Sequence, residues 1–143
     1  EAGKFVEVEP AGGVITSSIS TSRGTALADI DNDGDLDIAV INNHGSIFLL
    51  ENIVEKKGDW IGFSLTDNKS VAETRLKVKT SDKSYSRTVF RAGSYQSSNS
   101  ESVHIGLPGN AEIQSVEIVW PDGTSEVLGT LETNQYHQLS KSN

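Results

Sequence analysis

The sequence predicts an all-β protein. Short runs rich in Val, Ile, Thr and aromatic residues recur between turn residues along the whole chain. Leu76-Lys77-Val78-Lys79 alternates apolar and basic side chains, which points them to opposite faces of a strand. Val116-Glu117-Ile118-Val119-Trp120 is apolar almost throughout, as a strand buried on both faces would be.

Four strands are expected in the first half, at Phe5 to Glu9, Thr25 to Ile30, Asp37 to Ile41 and Ser46 to Asn52. The polar stretch from Val54 to Asp59 lies between apolar strands and favours a solvated connection, so it marks the best boundary. It divides the chain into residues 1–55 and 56–143. Beyond it, strands are expected at Trp60 to Thr66, Arg75 to Thr80, Tyr85 to Arg91, Val103 to Leu107, Ile113 to Trp120 and Ser125 to Leu128. Ser70-Val71-Ala72-Glu73 has capping-box spacing, but no apolar helical period follows it, so a single turn is the most it supports. The serine-rich segment Ser94 to Ser102 is short and framed by strands, which predicts an ordered loop.

A chain of 143 residues with 35% hydrophobic content can form one ordinary domain or two small ones around a thin β core. It starts at Glu1 and contains no methionine, so it is expected to be a processed or excised piece of a larger protein. No run approaches the roughly 18 apolar residues of a membrane span, so membrane insertion is not expected. The net charge of −8 repels phosphate backbones and argues against nucleic acid as a partner. The absence of cysteine excludes disulfides and thiolate metal sites.

Asp29-Ile30-Asp31-Asn32-Asp33-Gly34-Asp35-Leu36-Asp37 places a carboxylate at every second position, with glycine at the sixth. Oxygens spaced in this way converge on one hard cation when a glycine permits the sharp turn, and six to eight oxygens at about 2.3–2.6 Å suit Ca2+. The spacing predicts side-chain ligation by Asp29, Asp31, Asp33 and Asp37, a backbone carbonyl from Asp35, and an outward-facing Asn32. An EF-hand would need flanking helices and a glutamate at the twelfth position, which is Val40 here. The rival account is a solvated acidic turn. Magnesium fits less well, because it keeps more of its water.

Arg23-Gly24-Thr25-Ala26-Leu27-Ala28-Asp29, continuing through Asp37-Ile38-Ala39-Val40 to Leu50-Glu51-Asn52, resembles an FG-GAP (VCBS-type) repeat. The resemblance implies a four-stranded blade of an integrin-like β-propeller, with the acidic loop as its calcium site. The second half resembles the ASPIC/UnbV domain, which follows such repeats in exported proteins of the cartilage-acidic-protein type. Trp60-Ile61-Gly62-Phe63-Ser64-Leu65, Arg75-Leu76-Lys77-Val78, Ala92-Gly93-Ser94-Tyr95-Gln96-Ser97-Ser98, His104-Ile105-Gly106-Leu107 and Val119-Trp120-Pro121-Asp122-Gly123 carry that likeness. It implies a small β-sandwich or barrel and an extracellular, periplasmic or cell-surface setting. Where that family usually has a glycine before the Arg75 strand this chain has Glu73-Thr74, a departure that bears on the shape of the loop.

Pro121-Asp122-Gly123 has turn chemistry, which leaves Trp120 as a core residue whose N–H needs a partner. Trp60 is expected in the core as well. In the Gly93–Ser100 loop, Tyr95, Gln96, Ser97 and Asn99 combine an aromatic ring with adaptable polar groups, a composition suited to a glycan or peptide. The alternative is a loop that satisfies its own backbone. His104 reads as a structural histidine within a strand and His44 as part of a turn, neither with a partner visible in sequence. Asn68-Lys69-Ser70 is a formal glycosylation sequon of little weight. No nucleophile elbow, zinc-binding helix, phosphate loop or dinucleotide fingerprint occurs.

The expected function is therefore that of a calcium-binding extracellular interaction or adhesion module, non-catalytic, with a protein or glycan as partner. Self-association through exposed strand edges is also expected. The alternatives are the accessory C-terminal domain of a larger enzyme and a carbohydrate-binding module that uses the Tyr95 loop.

Overall fold

The computed structural model describes residues 20–55, 58–66, 70–93 and 95–141, together with Gly3. Its regular structure is β throughout: β1 (Ser22–Ala28), β2 (Asp37–Asn42), β3 (Phe48–Leu50), β4 (Gly58–Thr66), β5 (Arg75–Thr80), β6 (Ser84–Thr88), β7 (Val103–Pro108), β8 (Ile113–Val119), β9 (Ser125–Leu128) and β10 (Tyr136–Ser140). They form three open sheets, ordered β1-β2-β3, β10-β4-β7 and β6-β5-β8-β9.

The first sheet is an antiparallel meander in which Ala26 pairs with Ala39 and Ala39 with Leu49. The expected strand at Phe5 to Glu9 lies outside the described residues, as do Asn68 and Lys69 of the sequon. β1 stops at Ala28, short of the expected Ile30, because the Ile30 N–H turns away to the Asp37 carboxylate.

The second and third sheets share one core. Alternation on β4 sends Ile61, Phe63 and Leu65 inward, where they meet Val103, Ile105 and Leu107 of β7. From the third sheet come Leu76 and Val78 of β5 and Ile113, Val116 and Ile118 of β8. Their basic neighbours Arg75, Lys77 and Lys79 stay exposed, as the alternation requires. Each fully buried aliphatic or Phe side chain contributes about 1.5–3 kcal/mol, and this cluster is the main source of stability in the described chain. Neither sheet closes on itself, so of the two expected architectures the barrel is not formed.

Trp120 follows directly on β8 and is buried in this core, and its Nε1–H donates to Glu126 Oε1 at 3.0 Å. The turn that follows has Gly123 at a φ of 85°, and Thr124 donates both N–H and hydroxyl to the Asp122 carboxylate. Lys141 pairs with the other oxygen of Asp122 and so ties the end of β10 to this turn.

The missing family glycine has a direct counterpart in geometry. Glu73 takes a φ of 71°, a left-handed conformation that glycine adopts without strain. The Glu73 N–H reaches Val89 O, and Val89 N–H reaches Thr74 O. Ala72 and Glu73 form a turn and no helix follows, as the capping-box spacing allowed.

β10 was not expected. Its residues Tyr136-His137-Gln138-Leu139-Ser140 contain one strand-favouring residue, Tyr136, and no β-branched side chain, so local propensity gives a weak signal. What makes it a strand is parallel pairing with β4, Tyr136 opposite Gly62 and Ser140 opposite Thr66. Of the expected boundary stretch, Lys56 and Lys57 lie outside the described residues, while Gly58 and Asp59 belong to β4 and pair with Pro108 and Leu107. The Asp59 carboxylate accepts from Ala111 N–H and from the Asn134 amide.

Candidate functional site

The acidic loop joins β1 to β2 and folds over the outer face of the second sheet. Three of its five aspartates come together: carboxylate oxygens of Asp29, Asp31 and Asp37 lie within 4.8 Å of one another. Two ligands on one calcium ion stand at most about twice 2.3–2.6 Å apart, so oxygens at this spacing can share a hard divalent cation. The donor set, all carboxylate oxygen, fits such an ion in kind.

Asp33 and Asp35 are not in that group. The Asp33 carboxylate accepts the Asp35 N–H at 3.1 Å, and the backbone N–H of Asp33 donates to both Asp29 Oδ1 and Asp31 Oδ1. Asp33 thus helps satisfy the loop's own N–H groups, as the carboxylates of Asp29, Asp31 and Asp37 also do. Asp37 is 3% exposed, and its two oxygens accept from Ile30 N–H and Asn52 N–H at 2.9 and 2.8 Å. It therefore fastens both ends of the loop to the sheet. Asp31, by contrast, is exposed. Asn32 takes a φ of 61° and Gly34 one of 93°, the two left-handed residues that curl the loop.

The loop does not stand free of the rest of the chain. Tyr136 donates its hydroxyl to Asp29 Oδ2 at 3.0 Å, and His104 Nε2–H donates to the Gly34 carbonyl at 2.8 Å. A carbonyl only accepts, which sets the proton on Nε2. Trp60 lies beneath Gly34, and a Cβ at that glycine would overlap the indole. Trp60 also stacks on His104 with ring centroids 5.4 Å apart and meets Tyr136 at 5.0 Å.

Two expectations change accordingly. Trp60 is buried, but it faces away from the shared core and is covered by the acidic loop. His104 does have a partner, the Gly34 carbonyl, 70 residues distant and therefore invisible in sequence. Burial and the Asp29 carboxylate together push the Tyr136 hydroxyl well above its ordinary pKa, which keeps it a donor.

Of the Gly93–Ser100 loop, Tyr95, Ser97 and Asn99 pack on β1, and Ser94 lies outside the described residues. Asn99 Oδ1 accepts Leu27 N–H at 3.1 Å, and Ser97 Oγ donates to Tyr95 O at 3.2 Å. A Cβ at Gly24 would run into Ser97 and the Tyr95 carbonyl. Ser97 and Asn99 thus hold structure together, whereas the Tyr95 ring is 66% exposed and Gln96 has a left-handed φ of 50°. His44, with a φ of 58°, sits in a turn.

A family model described as ASPIC and UnbV matches residues 64–143. It gives no support to an FG-GAP repeat in the first half. No curated protein matches the chain closely enough to count as a relative.

Proposed function

The chain belongs to the ASPIC and UnbV family, and we propose that it is a calcium-binding extracellular interaction or adhesion module, without catalysis of its own. One observation carries the calcium reading: Asp29, Asp31 and Asp37 gather their carboxylates on a loop that is fastened at both ends and pressed against the second half. Like charges held this close repel one another, and a bound Ca2+ would supply the compensating charge. Asp37 positions the loop, Asp29 links it to Tyr136, and Asp31 presents an exposed ligand.

The reading draws support from the antiparallel β1-β2-β3 meander, whose first turn is the acidic loop, an order of elements that the FG-GAP resemblance leads one to expect. An interaction role draws support from the surface of this sheet. Nine of the twelve large hydrophobic side chains exposed among the described residues lie between Leu27 and Val54. Apolar surface concentrated in this way favours association with a neighbouring chain or domain. No described helix is long and apolar enough to cross a membrane.

Calcium calorimetry and melting curves, with and without chelator, test the proposal. Binding to the folded loop alone stabilises by RT ln(1 + [L]/Kd). That is about 0.6–1.8 kcal/mol for a Kd of roughly 10⁻³–10⁻⁴ M at about 2 mM free calcium. A rise of a few degrees in Tm is expected for a domain of this size. Unchanged melting and no heat of binding into the millimolar range would remove calcium from the function.

A further inference from the structure

A second site lies beside the acidic loop, in the seam between the two halves. The outer face of the second sheet has two rows of residues set by strand register. Gly62 pairs with Tyr136 on one side and His104 on the other, and this row carries the loop. One step along, Ser64 pairs with Gln138, and Ser102 follows on the same side as His104. Between this second row and the loop is a cleft of about 150 Å³. Its floor is Ser64, Ser102 and Gln138, and its far wall is Asp29 and Asn32, with Leu27 and Leu36 lending apolar surface.

The chemistry of the lining narrows the occupant. The side chains of Ser64, Ser102 and Gln138 make no hydrogen bond to any described residue, although each can both donate and accept. No Lys or Arg lines the cleft and a carboxylate does, so an anion is disfavoured. The volume equals that of about five liquid waters at about 30 Å³ each, which is too small for a drug-sized ligand and right for one ring. Convergent hydroxyl and amide groups beside a small apolar surface match a neutral ring that carries hydroxyls on its rim and C–H groups on its face.

We propose that this cleft binds one pyranose ring of a sugar, with hydroxyls bonded to Ser64, Ser102 and Gln138 and the C–H face against Leu27 and Leu36. The site is separate from the Tyr95 loop, and the three floor residues act whether or not a cation occupies the acidic loop. Free monosaccharide and the terminal residue of a glycan present the same chemistry.

The test uses the isotope-labelled full chain, followed by amide NMR and titrated in two arms, each run with calcium and again with chelator. One arm uses the methyl glycosides of glucose, galactose, mannose and N-acetylglucosamine, and the other uses maltotriose and chitotriose. Binding should shift the Gln138 side-chain amide and the backbone amides of Ser64 and Ser102 in at least one condition. Equal affinity for a glycoside and its oligomer indicates a free-sugar site, and tighter binding of the oligomer a glycan end. Gln138→Ala and Ser64→Ala should each weaken binding about three- to tenfold, the loss of one neutral hydrogen bond, without lowering Tm. The proposal is overturned if neither arm shifts these amides up to tens of millimolar, if shifts centre on Tyr95–Asn99, or if both variants bind like the parent. Calcium calorimetry on the same sample reads the cation separately, so either idea can fail alone.

Discussion

Tyr136 donates its hydroxyl to Asp29 Oδ2 at 3.0 Å, joining residues 107 positions apart. Tyr136 lies on β10, inside the stretch matched by the family, while Asp29 opens the acidic loop of the first half. The bond therefore makes the loop's geometry depend on the family domain.

Tyr136→Phe keeps the ring that packs on Gly62 and Trp60 but removes the donor. Loss of one such bond should cost about 0.5–1.5 kcal/mol and quicken hydrogen exchange in the loop, most visibly at the Gly34 N–H bonded to Asp29. Exchange at Gly34 unchanged from the parent would show that Tyr136 does not hold the loop.

Asp31 and Asp37 should separate binding from folding. Asp31 is exposed, so Asp31→Ala should weaken calcium binding and leave the calcium-free protein as stable as before or slightly more so. Asp37→Ala strips two backbone N–H groups of their acceptor and should cost roughly 2–4 kcal/mol even in chelator. Equal melting temperatures for the two variants in chelator would contradict this division.

Glu73 invites a stabilising change. A φ of 71° is strained for any residue with a Cβ, so Glu73→Gly should raise stability by about 0.5–1 kcal/mol, less the entropy that glycine adds to the unfolded chain. Denaturant melts would read the gain, and a loss would mean that the Glu73 side chain makes contacts of greater value.

Asp59 supplies a pH dependence. The Asn134 amide holds its carboxyl below the ordinary 3.8 against an opposing pull from burial, and the N–H groups of Ala111 and Asn110 add to the lowering. A depressed folded pKa stabilises above the unfolded value and loses that contribution as pH falls through the folded one. Asp59→Asn should therefore melt lower than the parent at neutral pH, and the gap should close as pH drops below about 4. A gap that is constant with pH would remove the ionised carboxylate from the account.

The sequence by itself determined the β class, most strand positions from β1 to β9, the turn at Pro121-Asp122-Gly123 and the acidic loop. Each is written in neighbours: period-two alternation in Leu76-Lys77-Val78, turn residues side by side, and aspartates at every second place around Gly34. Tertiary structure decided what depends on distant partners. Tyr136 to Ser140 became a strand because β4 offered a free parallel edge, not because its residues favour one. Trp60 was buried by a glycine, Gly34, that lies on another strand's loop, and His104 found its acceptor there. The gathering of Asp29, Asp31 and Asp37 without Asp33 or Asp35 was likewise a tertiary outcome. Spacing along a chain lists the oxygens that can converge, but which of them do is set by the path the loop takes in space.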